Sequence, residues 1–245
     1  LARAQIHVIA GRLDAARADC IALVLGVDAG DGMLCVAMLS LRQGQYPAAA
    51  SAVDRWLAQN ADGDRDGRRY ALTLRGESAA RAGDRNAEQY FRRALALAPG
   101  DVRTLAAYAR FLRGAGRESE VDSLLIGHPA HDGLQLQRAL ALRGTAPAKA
   151  KAIAAGLVRC YASTRSLGQV PELRDEAELM LTLRGDPQSA LTLAQRNFRD
   201  QRDEEDVELL MRAATAARQP EALQPLRAWA SSQRLSLPKI VEPNR

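Results

Sequence analysis

The chain is predicted to be all-α: a superhelical solenoid of about seven antiparallel helix pairs. Three observations predict it. The 245 residues hold only 4% aromatics and are dominated by Ala, Leu and Arg, which suits helices packed through small residues and scarcely suits a sheet. Single glycines at Gly11, Gly44, Gly83, Gly116, Gly144 and Gly185 each sit between two helical patterns, at separations of 33, 39, 33, 28 and 41 residues. Another 33 residues lead to Arg218, and a unit of about 34 residues with insertions and deletions fits the series. Four or five residues after most of these turns comes a small residue, at Ala16, Ala49, Ala87, Ala190 and Ala222, with Val121 in that place once.

Taken in order, Ala2 to Ala10 is a short first helix and Leu13 to Leu25 its partner, with Ala16, Cys20 and Leu23 inward. Gly30 to Gly32 reads as a separator before a helix over Met33–Arg42. Tyr46 to Gln59 follows with Ala49, Val53 and Trp56 on one face, and the polar stretch Asn60 to Gly67 reads as a loop. The next pair lies on either side of Gly83-Asp84: Leu72, Gly76 and Ala79 on one helix face, then Ala87, Phe91, Ala94 and Leu95 at spacings of three and four, stopped by Pro99-Gly100-Asp101. Val102 to Arg113 holds Leu105, Tyr108, Ala109 and Leu112 inward, and Glu118 to Ile126 holds Val121, Leu124 and Leu125. Gly127 to Gly133 is a turn, followed by Leu134 to Arg143 and a longer helix from Ala148 to about Thr164. Leu173 to Arg184 pairs with Pro187 to Arg199, Pro187 suiting a helix start. Val207 to Ala217 and Pro220 to Gln233 make the last pair. Residues 1–235 thus read as one helical-repeat domain and 236–245 as a tail.

The stretch from Leu72 to Pro99 resembles a tetratricopeptide repeat (TPR). Gly76, Ala79, Ala87, Phe91, Ala94 and Pro99 stand where that signature has Gly, an apolar residue, Ala, an aromatic, Ala and Pro; Leu72 replaces the signature Trp, and one residue is missing between the helices. The resemblance covers roughly residues 1 to 234 and implies a binding scaffold without catalysis of its own, whose concave face is built mainly from the first helix of each pair. One subtype grips a C-terminal carboxylate through Lys and Asn on successive first helices. The corresponding positions here hold Thr73, Glu77, Arg103, Ala107 and Arg110, so that clamp is not carried over.

For function, the first helices offer Tyr70, Glu77 and Arg81, then Arg103, Arg110 and Arg113, then Arg138, as a net-positive groove for a protein or peptide, most simply an acidic or carboxylate-bearing one. The arginines can equally pair with neighbouring acids such as Glu77. A regulatory domain binding a small effector and an enzyme accessory subunit are the rival readings. No Gly-rich phosphate loop or Ser or Cys nucleophile motif is present, so the chain reads as non-enzymatic and calls for no cofactor. His128, His131 and Asp132 share a turn with Pro129 but have no companion Cys or Glu cluster, so no metal is called for; His7 reads as a surface residue. The run Asp203-Glu204-Glu205-Asp206 is assigned to a helix start, where acids complement the dipole.

The net charge of +5 and pI of about 9.4 are mildly basic, with no dense Lys/Arg block, which argues against nucleic acid. No run of 18 apolar residues exists to span a membrane. The thiols Cys20, Cys35 and Cys160 can all be small buried residues, or Cys20 and Cys35 can be bridged, since they fall on helices adjacent in the stack. A bridge implies an oxidising compartment, hence an exported, periplasmic setting in a bacterium; a cytoplasmic one is the alternative. The oligomeric state is not legible in the sequence.

Overall fold

Local signals in the sequence place many of the helix ends. Asp28, Asp64, Asp101 and Asp186 each accept a backbone N–H two or three residues on and so start a helix, and Asp203 and Asp206 form a reciprocal capping box. Gly11, Gly44, Gly83, Gly116, Gly168 and Gly185 take positive φ where helices end. The computed structural model describes residues 1–61, 64–128 and 131–235. Among them are fourteen α-helices and no strand: α1 (Ala2–Ile9), α2 (Leu13–Ala22), α3 (Ala29–Arg42), α4 (Tyr46–Gln59), α5 (Arg65–Arg81), α6 (Ala87–Leu97), α7 (Val102–Gly114), α8 (Glu118–Leu125), α9 (Asp132–Thr145), α10 (Pro147–Ser166), α11 (Leu173–Glu178), α12 (Pro187–Asp200), α13 (Glu204–Ala216) and α14 (Gln224–Ser232). Wider π-type turns extend α2 over Leu23–Val27 and α11 over Leu179–Arg184, and a 3₁₀ turn over Pro220–Leu223 leads into α14.

Three expectations are corrected. Gly30 to Gly32 is no separator: Asp28 caps α3, both glycines lie in its first turn, and a Cβ on Gly32 would stand 2.7 Å from the Val24 backbone. Gly144 lies inside α9, and the left-handed turn of that region falls at Gly168. α13 begins at Glu204 rather than Val207, because Asp203 caps it. The last turn does fall at Arg218, which takes φ 58° without being glycine. The proposed tail 236–245 lies outside the described residues, as do residues 62 and 63 of the polar loop and Pro129 of the histidine turn.

Helices pack in adjacent pairs along the chain, and each odd-numbered helix also touches the next odd-numbered one, from α1 through α3, α5, α7 and α9 to the extension of α11, and from α11 to α13. The core is accordingly a series of clusters along the chain, not one central mass. Small residues set the approach of α5 to α6. Gly76 is buried, and an added Cβ would lie 2.7–3.0 Å from ring atoms of Phe91, itself 1% exposed. The ring stacks on Tyr108 with centroids 5.6 Å apart, so α5, α6 and α7 are tied through one aromatic contact. Buried hydroxyls join the odd helices: Thr73 Oγ1 lies 2.7 Å from Thr104 Oγ1, and Thr104 N–H donates to Asp101. Cys20 on α2 and Cys35 on α3 form a disulfide, with Cα atoms 5.3 Å apart, closing a 15-residue separation. In the chain-entropy account a loop of that size contributes roughly 3 kcal/mol. Cys160 is free.

The first turn and the last described helices meet. The turn between α1 and α2 presents backbone groups that the last helices use: Arg202 N–H donates to Ile9 O at 2.7 Å and Trp229 Nε1 to Gly11 O at 2.9 Å, while Leu13 N–H donates to Gln233 Oε1 at 3.1 Å. Leu235 packs on the first apolar cluster. Gly11 has φ +68°, and a Cβ there would fall 2.8 Å from both Arg202 and Trp229, so only glycine allows this closure without strain. No described helix is long and apolar enough to cross a membrane.

Candidate functional site

Because the odd helices are neighbours and the ends are joined, the side chains on their common face surround a shared interior. That interior holds a cavity of about 680 Å³ and an adjoining one of about 410 Å³. The start of α13 contributes several of the acids that line them, beside Glu77 of α5 and Asp175 and Glu178 of α11. The capping box aims the first turn of α13 inward: Asp206 accepts the Asp203 backbone N–H at 2.8 Å and, fully buried, Asn197 Nδ2 at 2.7 Å. Glu204, Glu205 and Glu208 then face arginines from other helices. Arg81 on α5 reaches Glu204 at 3.3 Å and Glu208 at 3.4 Å. Glu205 takes Arg110 of α7 at 3.0 Å and Arg174 of α11 at 3.3 Å, with Arg81 at 4.0 Å. Arg42 of α3 approaches Asp203 at 3.5 Å, too long for a hydrogen bond, and the buried Arg42 Nε and Asp203 Oδ1 make no other.

Burial pushes the Glu205 carboxyl up, but Arg110, Arg174, Arg42 and Arg81 more than offset it and hold the group below its ordinary value. Glu204 goes the other way, burial outweighing Arg81. Burial also raises two acids to about 6: Asp175, on the cavity wall, and Asp206, despite Arg174 beside it. Arg113 is lowered by desolvation, with Arg212, Arg110 and Arg143 adding to the effect against Glu178.

The structure brings Glu77, Arg81, Arg103, Arg110 and Arg113 to these cavities. Glu77 accepts from Arg103 at 3.2 Å, the local pairing the sequence allows. Tyr70 lies beneath Arg103, whose guanidinium stands 5.0 Å from the ring centroid, and its hydroxyl takes Gln5 Nε2 at 3.3 Å. Arg138 is placed elsewhere. It is 7% exposed and turns towards α8, bound to Asp122 with Lys149 on the same carboxylate, and it lines neither cavity. An arginine at that point of α9 is nearer the Asp122 side chain than the interior, which helix periodicity alone does not reveal. The residues missed from sequence are the acids of α13 and, around them, Arg42, Arg174, Asp175, Glu178 and Arg212. The signal for the α13 acids was their density, four in a row at a helix start, more than a helix dipole needs.

No described group of three or more His, Cys, Asp or Glu is placed to hold a metal. His131 caps α9 with its backbone, and Asp132 accepts from the Cys160 thiol. Comparison of the chain with protein-family models and with curated proteins finds no match.

Proposed function

We propose that the chain is a TPR-like superhelical stack of seven helix pairs acting as a non-catalytic scaffold for an acidic protein segment, in an exported bacterial assembly. The odd-to-odd succession of helices supports the superhelical reading. The Cys20–Cys35 bridge favours an oxidising compartment.

The observation that carries the binding reading is the set of arginines around Glu205. Arg81, Arg110 and Arg174 come from three first helices and converge on carboxylates of a fourth. A surface that holds the acids of α13 by guanidinium forks has the chemistry to hold an incoming acidic strand. In the closed form the α13 run occupies it, so a partner competes with Glu204, Glu205 and Glu208.

A fluorescent hexaglutamate peptide tests this by anisotropy at low ionic strength, with helicity checked in parallel. Wild type is expected to bind weakly. Glu204→Gln with Glu205→Gln and Glu208→Gln is expected to bind at least about tenfold tighter, the gain from removing one internal competitor. Equal binding by both proteins, or none by either, contradicts the reading.

A further inference from the structure

The large cavity is lined by six arginines and six acids, but they are unevenly paired. On the Arg42, Arg110 and Arg174 side each guanidinium faces a carboxylate, of Asp203 or Glu205. Arg113, at the C-terminal end of α7, makes no ion pair among the described residues: its one hydrogen bond goes to a neutral acceptor, Gln137 Oε1, at 2.8 Å. A guanidinium has five N–H donors, so most of this one is directed at no protein acceptor.

The carboxylate whose charge acts on it, Glu178, is already engaged. Glu178 takes Arg212 through both oxygens, at 2.8 and 2.9 Å, and Thr182 at 2.6 Å. Arg212 and Arg110 line the same cavity, and together with Arg143 they surround Arg113 with like charge. Arg113 is only partly withdrawn from water, and a cation held among other cations gains from an anion that joins it. The space beside it is about 680 Å³, within the range of small-molecule sites and far larger than one water needs. Walls from α7 on one side and α13 on the other leave it suited to a compact ligand and not to a strand, which would have to displace α13.

We propose that Arg113, with Gln137, Arg110 and Arg212 beside it, is a subsite for a small multivalent oxyanion, phosphate or polycarboxylate, inside the cavity. The inference rests on reading the interior as a binding surface, but not on the peptide. Arg113 supplies the fork, Gln137 positions it, and Arg212 adds charge while remaining tied to Glu178.

The test is calorimetric titration and thermal unfolding of the whole protein with inorganic phosphate and with citrate, against sodium chloride at equal ionic strength. Wild type is expected to bind one anion saturably and to unfold at higher temperature than in chloride, as ligation of the native state requires. Arg113→Gln is expected to lose at least about tenfold in affinity, the effect of one charge-assisted contact, and Arg113→Lys to keep part of it. In chloride alone Arg113→Gln is expected to be no less stable than wild type, whereas a merely structural Arg113–Gln137 bond predicts a lower midpoint. Phosphate and citrate acting like chloride on wild type, or acting undiminished on Arg113→Gln, would overturn the proposal. Arg113-dependent phosphate binding by a protein that ignores hexaglutamate would leave the subsite standing and remove the peptide reading.

Discussion

Glu205→Gln is expected to destabilise the fold by about 3 kcal/mol, read as a lower midpoint in urea. The carboxylate is 22% exposed and serves Arg110 and Arg174 from separate helices, with Arg81 at the edge of reach. Removing its charge leaves Arg110 partly desolvated without an anion and Arg174 with only Asp206 at 3.5 Å, and the cost comes from them more than from the lost contacts. A double-mutant cycle makes this specific: Arg110→Met with Glu205→Gln should cost less than the two single changes added together, since each variant strands the same partners. Additive costs, or a change within about 0.5 kcal/mol for Glu205→Gln alone, would mean solvent carries these charges and α13 merely rests against the interior.

Gly76→Leu is expected to cost about 3 kcal/mol, the upper end of overpacking, read as a lower thermal midpoint by circular dichroism. Even a Cβ would stand 2.7 Å from the Phe91 ring. The ring cannot retreat freely, because Tyr108 stacks on it at 5.6 Å and Phe111 lies 5.9 Å away. The damage should therefore spread from the α5–α6 contact to α7. An unchanged midpoint would show that α5 and α6 do not approach at Gly76.

Periodicity reached far into this fold because apolar spacing and turn residues agree over most of the chain. Tyr46–Gln59 was legible to both ends from Gly44 and the Ala49, Val53 and Trp56 stripe, all three of these side chains being buried. Where a polar or glycine-rich stretch was read as a loop, capping won: Asp28 starts α3 among glycines, and Asp64 starts α5 in what reads as a spacer. The π-type turns after α2 and α11 were illegible, since one inserted residue per turn leaves no mark in composition.

The interior was half legible for a related reason. Spacing shows which face of a helix turns inward, and Arg103 and Arg110 were found that way. It does not show what covers that face. Glu205 lies 95 residues beyond Arg110, and the contact between Gly11 and Trp229 spans 218. These pairings come from the closure of the whole chain, and no local pattern encodes them.

The central claim is that closure: the first and last pairs meet, so that α13 delivers its acids among the arginines. The most direct measurement is the distance between spin labels at Arg12→Cys and Ser232→Cys in a Cys160→Ser background, by pulsed electron double resonance. Both label sites are exposed and flank the Leu13–Gln233 and Gly11–Trp229 hydrogen bonds. The account predicts one narrow distribution below about 30 Å, since the two backbones are in contact and only the label arms add length. An open stack of seven pairs, stepping roughly 10 Å from one helix to the next, would hold its ends some 60 Å apart. A distribution centred there would contradict the closed form and the α13–arginine site with it.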